Sequence, residues 1–348
     1  MKKYSDLEKI LHRQFLGNNK LTDFLYERII SKVEKHYSVG NKNHIFITGL
    51  ARAGTTALLN RLFSTKEFNS LIYKYMPFML SPRLAIFYSS VFSENNDLST
   101  QRFHNDGIKI NQDSPECLDE IYWIKSKRNY LKSNLCSDEL IPDKILNGYS
   151  YLIDRYKLSK NKRMLIKNNN NHIRLEKLSN HFPSSIFFVM FREPIAHANS
   201  LLSQHKNFIR LQHEDPFILE YMDLIGHREF GINAQPFVYE SDDKKWFKVY
   251  NKDDINYWLS QWIATYEWIL KSGLLIRHNI FTVSYENLCD CASTYENICE
   301  LIKITDSKNI RYFNSGNLKY SGKNQFINDS LQTKSNLIYK QLLETSIK

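Results

Sequence analysis

A strand that runs into a glycine-bounded loop and out into a helix restricts this chain more than any other feature. His44 to Thr48 (HIFIT) is a β-branched and aromatic run of buried-strand length. It ends at Gly49, and Leu50-Ala51-Arg52-Ala53-Gly54-Thr55-Thr56 follows. From Thr55 onward Leu58, Leu59, Leu62 and Phe63 carry helical spacing. Glycines let such a loop turn tightly, and N–H groups exposed at a helix start cradle a phosphate. The glycine spacing is that of a Walker A loop, but Thr55 stands where the lysine that reaches the β and γ phosphates belongs. The cation sits at the loop tip instead, as Arg52. A nucleotide with one 5′-phosphate does not need that lysine, and Arg52 is placed to bridge the phosphate and the group leaving it.

A second unit of the same kind lies later. Ser185 to Phe191 (SIFFVMF) reads as a fully buried strand, Arg192-Glu193-Pro194 interrupts it, and a helix is expected from Ile195 through Gln204. Arg192 leaves the strand at its end, where ligands collect in open α/β sheets. Ser200 lies two turns further on, and an arginine with a hydroxyl suits a second phosphate. Met164 to Lys167 and Ile280 to Ser284 add strands, with helices at His172 to Asn180 and from Tyr285 to Leu288. Strands alternating with helices predict an α/β, P-loop-type three-layer fold, a central parallel sheet flanked by helices. Before it, residues 5–37 read as two helices parted by Asn18-Asn19, the second capped by Thr22 with Asp23. The expected organisation is an N-terminal helical segment (1–40), one domain with helical and aromatic-rich insertions (41–330), and a C-terminal helix (331–348).

Composition narrows the function classes. No apolar run approaches the roughly 20 residues of a spanning helix, and the basic start never reaches an apolar signal segment. Five cysteines are an odd number, and only Cys289 and Cys291 lie close, without the second ligand pair that zinc requires. A reduced, cytoplasmic protein with no metal and no membrane span is the expectation. The net charge of +10 asks for an anionic partner. The lysines are scattered, with no long basic run, so a nucleotide or an anionic acceptor accounts for the charge without nucleic acid.

Taken together, the two motifs resemble those of the sulfotransferases that use 3′-phosphoadenosine-5′-phosphosulfate (PAPS). Arg52-Ala53-Gly54-Thr55-Thr56 is similar to their 5′-phosphosulfate loop, which has Ser where Ala53 stands here. Arg192 and Ser200 have the separation that the family uses for the 3′-phosphate, with Gln204 one turn beyond. Val283-Ser284-Tyr285-Glu286-Asn287-Leu288 resembles its late strand and the tyrosine near the nucleotide. The resemblance spans residues 44 to 290 and leans toward the bacterial and tyrosylprotein-type branch. It implies PAPS as donor with no metal, PAP as product, and in-line displacement at sulfur. The acceptor hydroxyl or amine would belong to a saccharide or other small molecule, in a pocket shaped by residues 205–255. A late glycine–lysine loop of the family is matched weakly by Ser321-Gly322-Lys323.

Besides Arg52, the reaction needs a general base. In the tyrosylprotein type a glutamate stands about 20 residues past the loop arginine, but Leu71-Ile72-Tyr73-Lys74-Tyr75 holds no carboxylate. The next polar cluster, His104 to Glu120, supplies Glu116 as the expected base and His104 as its substitute. Pro115 suggests a helix opening there, with Asp113 or Ser114 as cap and Asp119 and Glu120 facing solvent or lysines. Gly226-His227-Arg228-Glu229-Phe230-Gly231 reads first as a structural turn; contact with the acceptor and a metal site are its alternatives, the latter poorly served by the spacing. Trp246, Tyr257, Trp258, Trp262, Tyr266 and Trp268 read as helix core rather than sugar platforms. Two rivals stand beside this reading. A P-loop NTPase lacks its lysine and its Mg²⁺ carboxylate here. The other is a non-catalytic nucleotide- or nucleic-acid-binding P-loop-like protein.

Overall fold

In the computed structural model, residues 4–36, 42–91, 100–101, 109–126, 141–159, 161–239, 247–305 and 326–348 are described. Seven strands occur among them: β1 (Ile45–Thr48), β2 (Phe68–Ser70), β3 (Thr100–Gln101), β4 (Lys109–Ile110), β5 (Arg163–Lys167), β6 (Ile186–Phe191) and β7 (Ile280–Ser284). Five form one parallel sheet in the order β2-β5-β1-β6-β7, and β3 pairs antiparallel with β4. All four residues of β1 are buried, as are the last five of β6. Such continuous apolar runs suit a sheet covered on both faces.

Because side chains alternate along a strand, these runs feed two cores. Phe46, Phe187, Val189 and Phe191 face the larger one, with Phe46 stacked on Phe187 at 4.6 Å between centroids. That core takes in Ile29 and Ile30 near the N-terminus, Leu201 and Leu202, Trp262 and Tyr266, and Leu331, Ile338 and Leu342 near the C-terminus. Ile45, Ile47, Phe188, Met190 and Val283 face the other, against Leu58, Leu59 and Leu62 of the loop helix and Ile298 and Ile302. Phe46, Phe187 and Phe188 are fully buried. Truncating one to alanine removes burial and leaves a cavity, at about 3–5 kcal/mol. The three layers predicted from the alternating pattern are present.

The local expectations fare unevenly. The Asn19–His36 helix starts earlier than Thr22, whose hydroxyl bonds back to the Asn18 carbonyl at 3.0 Å from inside the first turn. The expected cap is therefore an interior residue. The preceding Asp6–His12 helix has Ser5 as its cap, with Glu8 completing a capping box. The helix after Arg192 runs Pro194–Glu214, ten residues past Gln204, because Phe208 and Leu211 keep its apolar face buried. Glu193 caps it, accepting from the Ile195 and Ala196 N–H groups at 3.2 and 2.6 Å. After β5 the chain makes a 3-10 segment, Asn169–Arg174, before the Leu175–His181 helix. The last helix is Asp329–Thr345. Among the described residues no helix is long and apolar enough to cross a membrane.

Candidate active site

Parallel pairing aligns the carboxyl ends of β1, β5, β6 and β7, so Gly49, Lys167, Arg192 and Tyr285 lie along one edge. Chain order reverses across β1, since β2 and β5 lie on one side of it and β6 and β7 on the other. Ligands bind open α/β sheets at such a crevice.

Backbone conformation builds the loop. Gly49 has φ 130°, and a Cβ there would lie 2.3 Å from the Met190 carbonyl oxygen. Gly54 has φ 92°, and a Cβ would lie 2.3 Å from Cδ2 of Tyr285. Both positions demand glycine for conformation and for space. Arg52 occupies the left-handed region at φ 73°, a strained choice for a residue with a side chain. The helix Thr55–Phe63 starts at Gly54 with no side-chain cap, so its first N–H groups and the positive end of its dipole face the crevice. His197 braces the loop from behind, its Nε2 lying 2.8 Å from the Ala51 carbonyl. Burial, together with Arg192 and Arg52 nearby, holds this imidazole down to about 3, against the opposing hydrogen bond, so it stays neutral.

The sequence-predicted residues converge. Arg52 donates from Nε to Ser200 Oγ at 3.2 Å, joining the two motifs directly. Arg192 is 5% exposed, its guanidinium carbon 5.8 Å from the centre of the Tyr285 ring. The Trp262 indole N–H donates to the Arg192 carbonyl at 3.2 Å. Glu286, from the same motif as Tyr285, accepts the Glu193 N–H at 3.0 Å. The Thr55 hydroxyl donates to Asn169 Oδ1 at 3.1 Å, while Ala53 and Thr56 are buried behind the loop. Gln204 is buried further along its helix.

Glu116 reaches the same edge by a different route from the one expected. Pro115 opens no helix; it forms an antiparallel bridge with Ile72, and the helix begins at Glu120. The Glu116 N–H donates to the Leu71 carbonyl at 3.1 Å, so the bridge brings a carboxylate to the 71–75 segment that lacks one. There Glu116 accepts from Lys167 Nζ at 2.8 Å, the Cys117 N–H at 2.9 Å and the Tyr73 hydroxyl at 3.2 Å. Its partner Lys167, the last residue of β5, is 6% exposed.

Asp119 and Glu120 do not face solvent. Both are buried, and Glu120 pairs with Arg174 at 2.6 Å and accepts from Asn168 at 2.9 Å. Asp119 accepts from the Tyr149 hydroxyl at 2.7 Å and Asn168 at 3.1 Å. Burial raises the Asp119 carboxyl, with the Tyr149 bond opposing. Contrary to the expected solvent-facing position, these carboxylates turn inward at the start of the Glu120–Ser126 helix and anchor Asn168 in the turn after β5. His104, Trp246 and Ser321-Gly322-Lys323 lie outside the described residues. Tyr257, Trp258, Trp262 and Tyr266 are buried core, and Trp268 is partly buried against it.

Two groups at this edge escaped the sequence reading, Lys167 and Asn169. A lysine closing a buried strand, followed by an asparagine run, was the available signal. The fold that holds them is shared with a bacterial sulfotransferase, STF9 from Mycobacterium avium. The two align with a TM-score of 0.51 and 12% identity, over 96% of this chain and 83% of that one. The chain has the sulfotransferase fold. A second sulfotransferase, STF1 from Mycobacterium tuberculosis H37Rv, aligns over 98% of this chain and 87% of its own, at a TM-score of 0.44 and 12% identity. No protein-family model and no curated protein matches the chain by sequence.

Proposed function

We propose that this protein is a cytoplasmic, PAPS-dependent sulfotransferase that moves a sulfuryl group to a hydroxyl or amine of a saccharide or other small acceptor. The observation that carries the reading is the convergence of the Gly49–Gly54 loop, Arg192 with Ser200, and Tyr285, with Arg52 bonded to Ser200. The residues suit the donor: an uncapped helix start takes the 5′-phosphosulfate, and Arg192 with Ser200 takes the 3′-phosphate. Tyr285, held against Gly54 and beneath Arg192, walls the nucleotide. When bound, the donor supplies an activated sulfuryl group. Arg52 and the Thr55–Thr56 helix start stabilise the charge left on the departing phosphate. Lys167, held by Glu116 at the same edge of the sheet, is assigned to the acceptor side, where positioning supplies most of the catalysis. Glu116, the carboxylate expected as base, already accepts from Lys167, the Cys117 N–H and Tyr73, bonds that favour its ionised form and make it a weaker base. The 205–255 segment, which contributes His227 and Glu229 to this edge, is the proposed acceptor wall.

The rival NTPase reading fits less well, because Thr55 bonds Asn169 where the Walker lysine belongs and Glu193 is spent as a helix cap. Incubation with PAPS labelled in its sulfuryl group, over a panel of phenols, sugars and amino sugars, tests the proposal. Labelled product formed with release of PAP supports it. Hydrolysis of ATP or GTP with none of PAPS refutes it.

A further inference from the structure

The turn between Gly226 and Gly231 carries an acid–base pair that the donor site does not use. Its two glycines have φ 71° and 82°. A Cβ on Gly226 would lie 2.2 Å from Ile124 Cδ1, and one on Gly231 would lie 2.4 Å from Gln212 Oε1. Backbone bonds from His227 N to Met222 O at 2.9 Å and from Gln235 N to Arg228 O at 2.9 Å close it. Gly231 N donates to His205 Nδ1 at 3.2 Å, fixing the far end. The turn is thus held at both ends against neighbouring elements.

Within it, His227 Nδ1 lies 2.6 Å from Glu229 Oε2, with side chains 23% and 10% exposed. The other Glu229 oxygen faces Asn169 Nδ2 at 3.5 Å, and Asn169 in turn accepts from Thr55 of the phosphate loop. Two contacts therefore separate this pair from the loop. Burial alone would raise the Glu229 carboxyl, but His227 and Lys167 hold it below the usual carboxylate range. With Glu229 Oε2 only 2.6 Å from Nδ1, two lone pairs would repel there, so the contact favours the imidazole tautomer with its proton on Nδ1 and its lone pair on Nε2.

We propose that His227, oriented by Glu229, is the general base that takes the proton from the acceptor; this rests on the sulfotransferase reading above. As the acceptor oxygen or nitrogen bonds to sulfur, its proton passes to His227 Nε2. The bond between sulfur and the 5′-phosphate oxygen breaks, and its electron pair leaves on PAP, facing Arg52. The imidazolium then returns its proton to water. Glu116 in this account holds Lys167 in place, and Asn169 ties the base to the loop.

The test combines three readouts on the full chain. Calorimetry with PAP reports the donor site, and the release of PAP from PAPS in buffer reports transfer to water, which needs no known acceptor. Long-range proton–nitrogen spectra of the histidine rings report the tautomer. The expected result is a His227 ring protonated at Nδ1 in the wild type and shifted toward the other tautomer by Glu229→Gln. His227→Ala should bind PAP within threefold of the wild type, release it from PAPS about 100-fold or more slowly, and recover part of the rate with free imidazole. A ring protonated at Nε2, or PAP release unchanged in His227→Ala with PAP still bound, overturns the assignment. Wild type that binds PAP but releases none from PAPS also counts against it, since a base aimed at sulfur activates water. Wild type that binds no PAP overturns the donor-site reading instead.

Discussion

Replacing Gly54 by alanine should separate the two constraints on the phosphate loop. At φ 92° the new residue bears left-handed strain of roughly 1–2 kcal/mol. Its Cβ would also lie 2.3 Å from Cδ2 of Tyr285 and 3.0 Å from Cγ and Cε2, so the whole ring must shift. That ring is 8% exposed and packed beside Arg192, leaving little room, and overpacking of this kind costs about 1–3 kcal/mol. Gly273 is the internal control: at φ 70°, with nothing within 4 Å of its added Cβ, it bears conformational strain alone. Gly54→Ala should therefore lose about 2–5 kcal/mol in total and Gly273→Ala about 1–2 kcal/mol, read by denaturant unfolding under identical conditions. In a double-mutant cycle, Tyr285→Ala should relieve part of the Gly54→Ala penalty. Only Gly54→Ala should weaken PAP binding, by more than tenfold. If the two alanine variants are equally stable and bind PAP equally, the close approach of Tyr285 to the loop is wrong.

Further consequences follow from the buried charges. His197 is held near 3 by burial and by Arg192 and Arg52, below its unfolded value near 6.5, so its contribution is complete above 6.5 and lost as pH falls toward 3. Melting temperature should fall between pH 7 and pH 5, and His197→Gln should flatten that fall; an equal slope in the variant refutes the brace. Arg174→Met strands the buried Glu120 carboxylate and should cost about 3–5 kcal/mol in unfolding free energy, whereas a cost below about 1 kcal/mol would show that the pair is dispensable. Lys167→Met should leave PAP affinity within threefold while slowing sulfuryl transfer at least tenfold; weaker PAP binding would place Lys167 on the donor instead.

The elements legible in the sequence are those whose signal is local. Strands β1 and β6 read correctly because both of their faces are apolar, and the loop did because glycine at 49 and 54 answers to backbone geometry. Thr22 was misread as a cap because Asn18 supplies that end of the helix. Glu116 stands on no helix, because a proline before carboxylates signals a helix only where no distant segment pairs with it. Here the extended Leu71–Ile72 segment claims it through one antiparallel bridge, and that pairing is tertiary. Asp119 and Glu120 look like solvent charges until Arg174, Asn168 and Tyr149 are folded against them. Lys167 and Asn169 lie on one segment and His227 and Glu229 on another some 60 residues away, so the two pairs meet only after the sheet has formed.

The measurement that bears most directly on the central claim is titration calorimetry with PAP on the wild type, Arg52→Ala and Arg192→Ala. The account predicts micromolar binding by the wild type, weakened at least tenfold by either substitution because each removes a charged partner of a phosphate. Absence of PAP binding by a folded wild type, with ATP or GTP bound in its place, would contradict it.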